Sequence, residues 1–416
     1  MTSNPAGTSP TRVTLSRRTF LAGAGATALA GMATPSIFPR YAFATPNQPS
    51  QGDVLVLIFL RGGADGLSIV PPYTDEAGYQ QLRGSVAIPA PDSGQPAGAS
   101  CLDLSGTYPN VLGDHTFGFH PAMAGTPATP DDPEAVGEAG LRAVWEQGHL
   151  AVVHAVGFDA SSTSRSHFDA QDHWDRASGS PAVTSGWLAR YLEQVAPTPG
   201  DIAGLAWGTN VQASLRSHPS VASVRSLAET GLVGYADEDR SLQALHALYP
   251  GTSHPVPVVA QGATALDVVD RIADADPFQH EPEAGLYPPT ALGSGLRQIA
   301  MMIRADVGLR VACIDMGAWD LHNAMGTSAA GAMRNQVLGL ADAMHAFHQD
   351  LEGAFGGAAI LDEVTTVALS EFGRTINVNG NGGTDHGRGN AMYIMGNHVV
   401  PGLHGDYPSG PLQDGS

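Results

Sequence analysis

Residues Val54–Leu60 read VLVLIFL, an apolar run without a polar interruption, and it breaks at once into Arg61-Gly62-Gly63-Ala64-Asp65-Gly66. A strand with one wet face alternates apolar and polar residues. A run without alternation needs cover on both faces, the condition of an inner parallel strand. The chain must therefore supply helices for both sides of a sheet, and it does. Leu150–Val156 (LAVVHAV) is a second such run, and 309–314, 364–369 and 391–395 are further strand candidates. Helical patterns occupy 139–147, 168–177 and 186–194. Met333, Val337, Leu340, Met344, Phe347 and Leu351 recur at alternating four- and three-residue steps, which is one apolar helix face. Strands alternating with helices predict an α/β fold with a mainly parallel, doubly wound sheet.

Two segments resist that pattern. Residues 81–115 are rich in Pro, Gly and Ser and read as a surface loop. Residues 198–289 hold helical stretches at 242–248 and 265–275 between Pro-rich connectors, and read as an insertion or cap on a single domain spanning 45–416. The chain stops at Gln413-Asp414-Gly415-Ser416 without a closing helix or strand signal, as expected of a truncated product.

The first 44 residues read as an export signal. Ser16-Arg17-Arg18-Thr19-Phe20-Leu21 is a twin-arginine core, an Ala- and Gly-rich apolar stretch follows, and Ala42-Phe43-Ala44 fits the small-x-small cleavage rule. The expected mature chain begins near Thr45, outside the cytoplasm, after passage through the twin-arginine machinery. That machinery moves folded proteins and suits one that takes up a metal before export. No later run reaches the roughly 18 apolar residues of a membrane span, so no integral membrane segment is expected in the mature chain.

Composition removes several chemistries. All 20 basic residues are arginine. There is no lysine for a Schiff base, a P-loop or a kinase site. With 40 acidic residues the net charge is −20, which opposes binding to nucleic acid. Cys101 and Cys313 are too few for a disulfide framework, and Cys313 sits in an apolar run as a core thiol would.

Ligands of open α/β sheets gather beyond the carboxyl ends of the strands. Asp65 follows the first run, although Asp-Gly is also a common turn dipeptide. Ser164, Ser166 and His167 follow the second, where a serine opening a helix is either a cap or a nucleophile backed by the helix dipole. Asp320 and His322 follow 309–314, with Trp319 beside them to exclude water and Asp315 as a rival ligand. Glu371 follows 364–369, and its Gly-rich loop ends in Asp385-His386. Carboxylates with imidazoles form the donor set of a divalent metal. The ligand pool is Asp65, Asp320, His322, Glu371, Asp385 and His386. Zn²⁺ or Mn²⁺ is favoured by the imidazoles, and Mg²⁺ or Ca²⁺ remains open. Ser166 is the candidate nucleophile, and Arg165 and Arg374 are candidate oxyanion clamps.

In order, the twin-arginine leader, LIFLRGGADGL (57–67), SRSHFDAQD (164–172), GAWDLHN (317–323), SEFGRT (370–375) and GTDHG (383–387) resemble an exported family, domain of unknown function 1501. That family in turn resembles a distant branch of the alkaline phosphatase–sulfatase superfamily. The resemblance implies that fold, a divalent metal at the carboxyl edge of the sheet, and Asp65, Ser166 and Asp320 with His322 in the first three places of the superfamily order. For the fourth place two versions stand. Either Glu371 and its loop replace an Asp-His pair and His386 is the final histidine, or Asp385-His386 is the pair and His398 is final. The first is preferred, because the strand runs directly into Glu371. The expected activity is metal-dependent hydrolysis of a phosphate or sulfate ester, small or polymeric. The alternatives are a non-catalytic binding protein that keeps the fold, and a metal-dependent lyase or oxidoreductase.

Overall fold

A computed structural model describes residues 53–412, apart from 97, 107, 127–138, 159–163, 181, 196–200 and 232–237. The export signal expected over 1–44 lies outside the described residues, as does the chain's last segment.

An eight-stranded sheet forms the centre. In chain order its strands are β1 (Val54–Leu60), β2 (Leu150–Val156), β3 (Gly204–Trp207), β4 (Val221–Val224), β5 (Val311–Met316), β6 (Val364–Ser370), β9 (Asn390–Met395) and β10 (Gly402–Gly405). Between the sixth and seventh of these, β7 (Arg374–Val378) and β8 (Thr384–His386) form a separate hairpin. The spatial order is β10-β2-β9-β6-β1-β5-β3-β4. Only β9 runs against the others, so the sheet is mainly parallel as its unbroken apolar runs require.

The alternation of β1 shows why both faces need cover. Val54, Val56, Ile58 and Leu60 enter one core, while Leu57 and Phe59 enter the other. On the first side pack α1 (Gly140–Glu146), α6 (Ala291–Arg304) and α7 (Ala332–Leu351). On the second lie α2 (His167–Arg176) and α3 (Trp187–Val195), through Trp174, Leu188 and Leu192. The six apolar positions of the long helix pattern are all buried in α7. Between them α4 (Glu238–Leu248) and α5 (Pro257–Ala275) pair outside the sheet.

Two expectations are corrected. Residues 198–289 are not an insertion or cap throughout, because β3 and β4 extend the sheet from β5 outwards. GLAW and VASV are too short to stand out as apolar runs. Nor is 81–115 only a surface loop, since Arg83, Ile88 and Leu104 are buried and Leu102–Asp103 pairs with Gly118–Phe119. Cys101 and Cys313 are both free and buried. No helix among the described residues is long and apolar enough to cross a membrane.

Because β1, β5 and β6 are parallel neighbours, their carboxyl ends open onto one edge. Gly62 there has φ +121°, and a Cβ on it would lie 2.4 Å from the Asp320 backbone nitrogen. Glycine lets the loop after β5 close onto the loop after β1. Gly62 thereby fixes where Asp320 stands.

Candidate metal centre

Asp320 Oδ1 is the focus of that edge. His322 Nε2 lies 3.0 Å from it, His386 Nε2 3.3 Å and His167 Nε2 3.6 Å. His322 Nε2 and His386 Nε2 are themselves 2.9 Å apart. Single donor atoms of His167, Asp320 and His386 all lie within 4.8 Å of one another.

The orientation of the three rings is set from behind. His167 Nδ1 is 2.9 Å from Glu371 Oε1, His322 Nδ1 is 3.0 Å from Asp385 Oδ1, and His386 Nδ1 is 2.7 Å from the Arg165 carbonyl oxygen. Each of these partners is an acceptor, so each ring donates Nδ1–H and turns its Nε2 to the centre. An acceptor behind the ring is the usual support of a metal-bound histidine. His167 Nε2 is buried and makes no hydrogen bond. Lone pairs of His322 and His386 facing each other at 2.9 Å repel unless a proton or cation lies between them. The donor set, three imidazoles and a carboxylate, fits a borderline divalent ion.

Local structure explains each position. His167 is the first residue of α2, whose N-cap is Ser166. His386 ends β8, and Arg374 opposite it opens β7. Asp320 and His322 lie in the loop after β5. Ala318 in that loop holds φ 68°, a left-handed conformation that is uncommon for alanine and collects at functional sites. Trp319, the next residue, is buried.

Charge closes the account. Arg374 donates to the carbonyl oxygens of Gly63 (2.6 Å), Thr384 (2.9 Å) and Gly62, and to Asp320 Oδ1 (2.6 Å). Burial pushes the Asp320 carboxyl up, but the hydrogen bond and charge of Arg374 outweigh it and hold the group below the ordinary carboxylate range. Burial also opposes ionisation of Glu371, and hydrogen bonds from its own backbone amide, Ser370, His167 and Gly62 outweigh that too. Hydrogen bonds from Asn379 and His322 lower Asp385. Burial, with Arg374 nearby, lowers His386 from the ordinary histidine range. Three carboxylates beside the one buried guanidinium give the centre a negative balance that would favour a cation.

Several sequence expectations change role. Asp65 does not join the cluster: its carboxylate takes both guanidinium nitrogens of buried Arg83 and the Ser68 amide and hydroxyl. Arg374 is no oxyanion clamp, because its side chain is buried against backbone carbonyls and Asp320. Glu371, 0% exposed, and Asp385 hold rings rather than face the centre. Asp315 pairs with Arg61 at 3.1 Å. His398 stands by Asp362, just before β6 and so at the far edge, away from His167, His322 and His386. Arg165 is exposed at the rim, with Nη1 3.1 Å from the His386 carbonyl oxygen. Ser166 is half-buried and its hydroxyl makes no capping hydrogen bond. His167 is the residue that sequence reasoning missed as a ligand. Its signal was its place beside Ser166 after β2.

Glu371→Gln tests the supporting role directly. The glutamine would keep the volume but lose the charge that orients His167. Metal affinity should fall by ~10–100-fold, the usual effect of removing such a support, with the fold retained. Unchanged affinity in a competition titration would detach Glu371 from the centre.

A family model described as a protein of unknown function (DUF1501) matches residues 53–411. No curated protein and no solved structure matches the chain.

Proposed function

We propose that this chain, which belongs to the DUF1501 family, is an exported metal-dependent hydrolase of phosphate or sulfate esters, distantly akin to the alkaline phosphatase–sulfatase superfamily. One observation carries the reading: three imidazoles, each held from behind by an acceptor, turn their Nε2 atoms towards one carboxylate oxygen beside an uncapped serine. His167, Asp320, His322 and His386 would hold the ion, with Zn²⁺ or Mn²⁺ favoured. When bound, the ion supplies positive charge against the charge that develops on the transferred group.

The chain's own residues do the rest. Ser166 stands at the N-terminus of α2, where unpaired amides and the helix dipole favour an anionic group. Its Oγ forms the bond to phosphorus or sulfur as the ester oxygen leaves. The proton lost from Oγ goes to the departing alcohol through solvent, and water later cleaves the seryl ester. Exposed Arg165 would meet a second anionic oxygen. Asp320 and Asp385 are 48% and 61% exposed, so the centre opens to solvent. The twin-arginine leader supports a place of action outside the cytoplasm.

The test is turnover of aryl phosphate and aryl sulfate by the full-length protein. Turnover should disappear with chelator and return with Zn²⁺ or Mn²⁺. Retained metal without turnover on either ester would favour a binding protein built on the same fold.

A further inference from the structure

A second group of metal-ligating side chains lies at the opposite edge of the sheet. His149 immediately precedes β2, whose first residue pairs with the end of β9. His348 lies in the last turn of α7, and Glu352 is its C-cap. Their four-residue spacing puts these two on one helix face. His149 Nδ1 is 2.9 Å from His348 Nε2. Glu352 straddles both rings, with Oε2 3.4 Å from His348 Nδ1 and Oε1 3.7 Å from His149 Nδ1. One donor atom of each residue lies within 4.8 Å of the other two. The His348 side chain is 0% exposed, and its Nδ1 makes no hydrogen bond.

We infer that His149, His348 and Glu352 form a second divalent-cation site, of the zinc class, separate from the centre at Asp320. Two imidazoles and a carboxylate are three ligands of a tetrahedral site, with solvent for the fourth. A hydrogen-bonded imidazole pair is the simpler arrangement. It leaves a buried ring nitrogen unsatisfied, which costs about 1–3 kcal/mol. A cation bound at that nitrogen, His348 Nδ1, removes the cost, with Glu352 Oε2 3.4 Å from it and Glu352 Oε1 3.7 Å from His149 Nδ1. It also meets the carbonyl end of α7, where positive charge is favoured. Glu352 is 34% exposed and His149 19%, so an ion enters from solvent. The two sites are separated by the length of a strand, on the order of 20 Å. The ion here has a structural part, tying the start of β2 to the end of α7.

Chelator-treated full-length protein is titrated with Co²⁺ and Zn²⁺. Glu352→Gln and His149→Asn, both at partly exposed positions, should each lower the stoichiometry by one ion while aryl-ester turnover stays unchanged. In a His386→Ala background one ion should still bind and raise Tm, and adding Glu352→Gln should abolish both effects. That background separates this site from the proposed catalytic one. Loss of all binding in His386→Ala alone would overturn the second site. So would unchanged stoichiometry in both Glu352→Gln and His149→Asn.

Discussion

His386→Ala is expected to fold, to bind one divalent ion fewer than the wild type, and to lose ester turnover with it. His386 Nε2 stands 2.9 Å from His322 Nε2 and 3.3 Å from Asp320 Oδ1, so its removal opens the donor set at its middle. The ring is half-buried in a hairpin and packs on His167, His322 and Phe372 at the sheet edge, which spares the fold. Metal at a developing charge contributes several kcal/mol, and about 1.4 kcal/mol is a factor of ten. Turnover should fall by at least ~10²-fold. Loss of metal with turnover intact would place the chemistry elsewhere.

Ser166→Ala should give the complementary result. The serine hydroxyl makes no capping hydrogen bond to α2, so its removal costs the helix little. Metal content and Tm should therefore match the wild type. Turnover should drop by at least ~10²-fold, the scale of losing an activated nucleophile or a positioned proton-transfer group. A rise in KM with kcat unchanged would indicate lost substrate binding instead. Full turnover by Ser166→Ala would remove the serine from the mechanism and leave water as the attacking group. The pair of variants thus separates metal holding from bond making.

The sheet's centre was legible because burial on both faces writes itself into sequence. VLVLIFL and LAVVHAV have no polar residue in a strand length other than His154, which is itself buried. The edges were less legible. β3 and β4 are four residues each, and β10 contains two glycines, so tertiary pairing rather than propensity makes them strands. The start of β5 moved from 309 to Val311, within the usual uncertainty of an element's end.

At the centre the sequence showed which loops would meet, since those loops leave the carboxyl ends of parallel strands of one sheet. It did not show which group faces the ion and which stands behind a ring. Glu371 and Asp320 are both carboxylates after strands. They differ in whether the side chain meets Nδ1 or Nε2 of a histidine, a matter of a few ångströms that no spacing encodes. His167 was hidden by its neighbours, because Ser164 and Ser166 drew the reading towards capping and nucleophilic attack. Asp65 misled for the opposite reason. Its partner Arg83 lies 18 residues away in a segment read as loop, so a buried ion pair looked like an unpaired ligand.

The decisive measurement is the metal content of the full-length wild type and of His386→Ala, purified side by side and each titrated with Zn²⁺ after chelation. The wild type should carry an ion at the Asp320 centre that His386→Ala does not, and the difference should be one equivalent. Equal content in the two proteins, or a wild type that takes up no ion at any concentration tested, would contradict a metal centre built from His167, Asp320, His322 and His386.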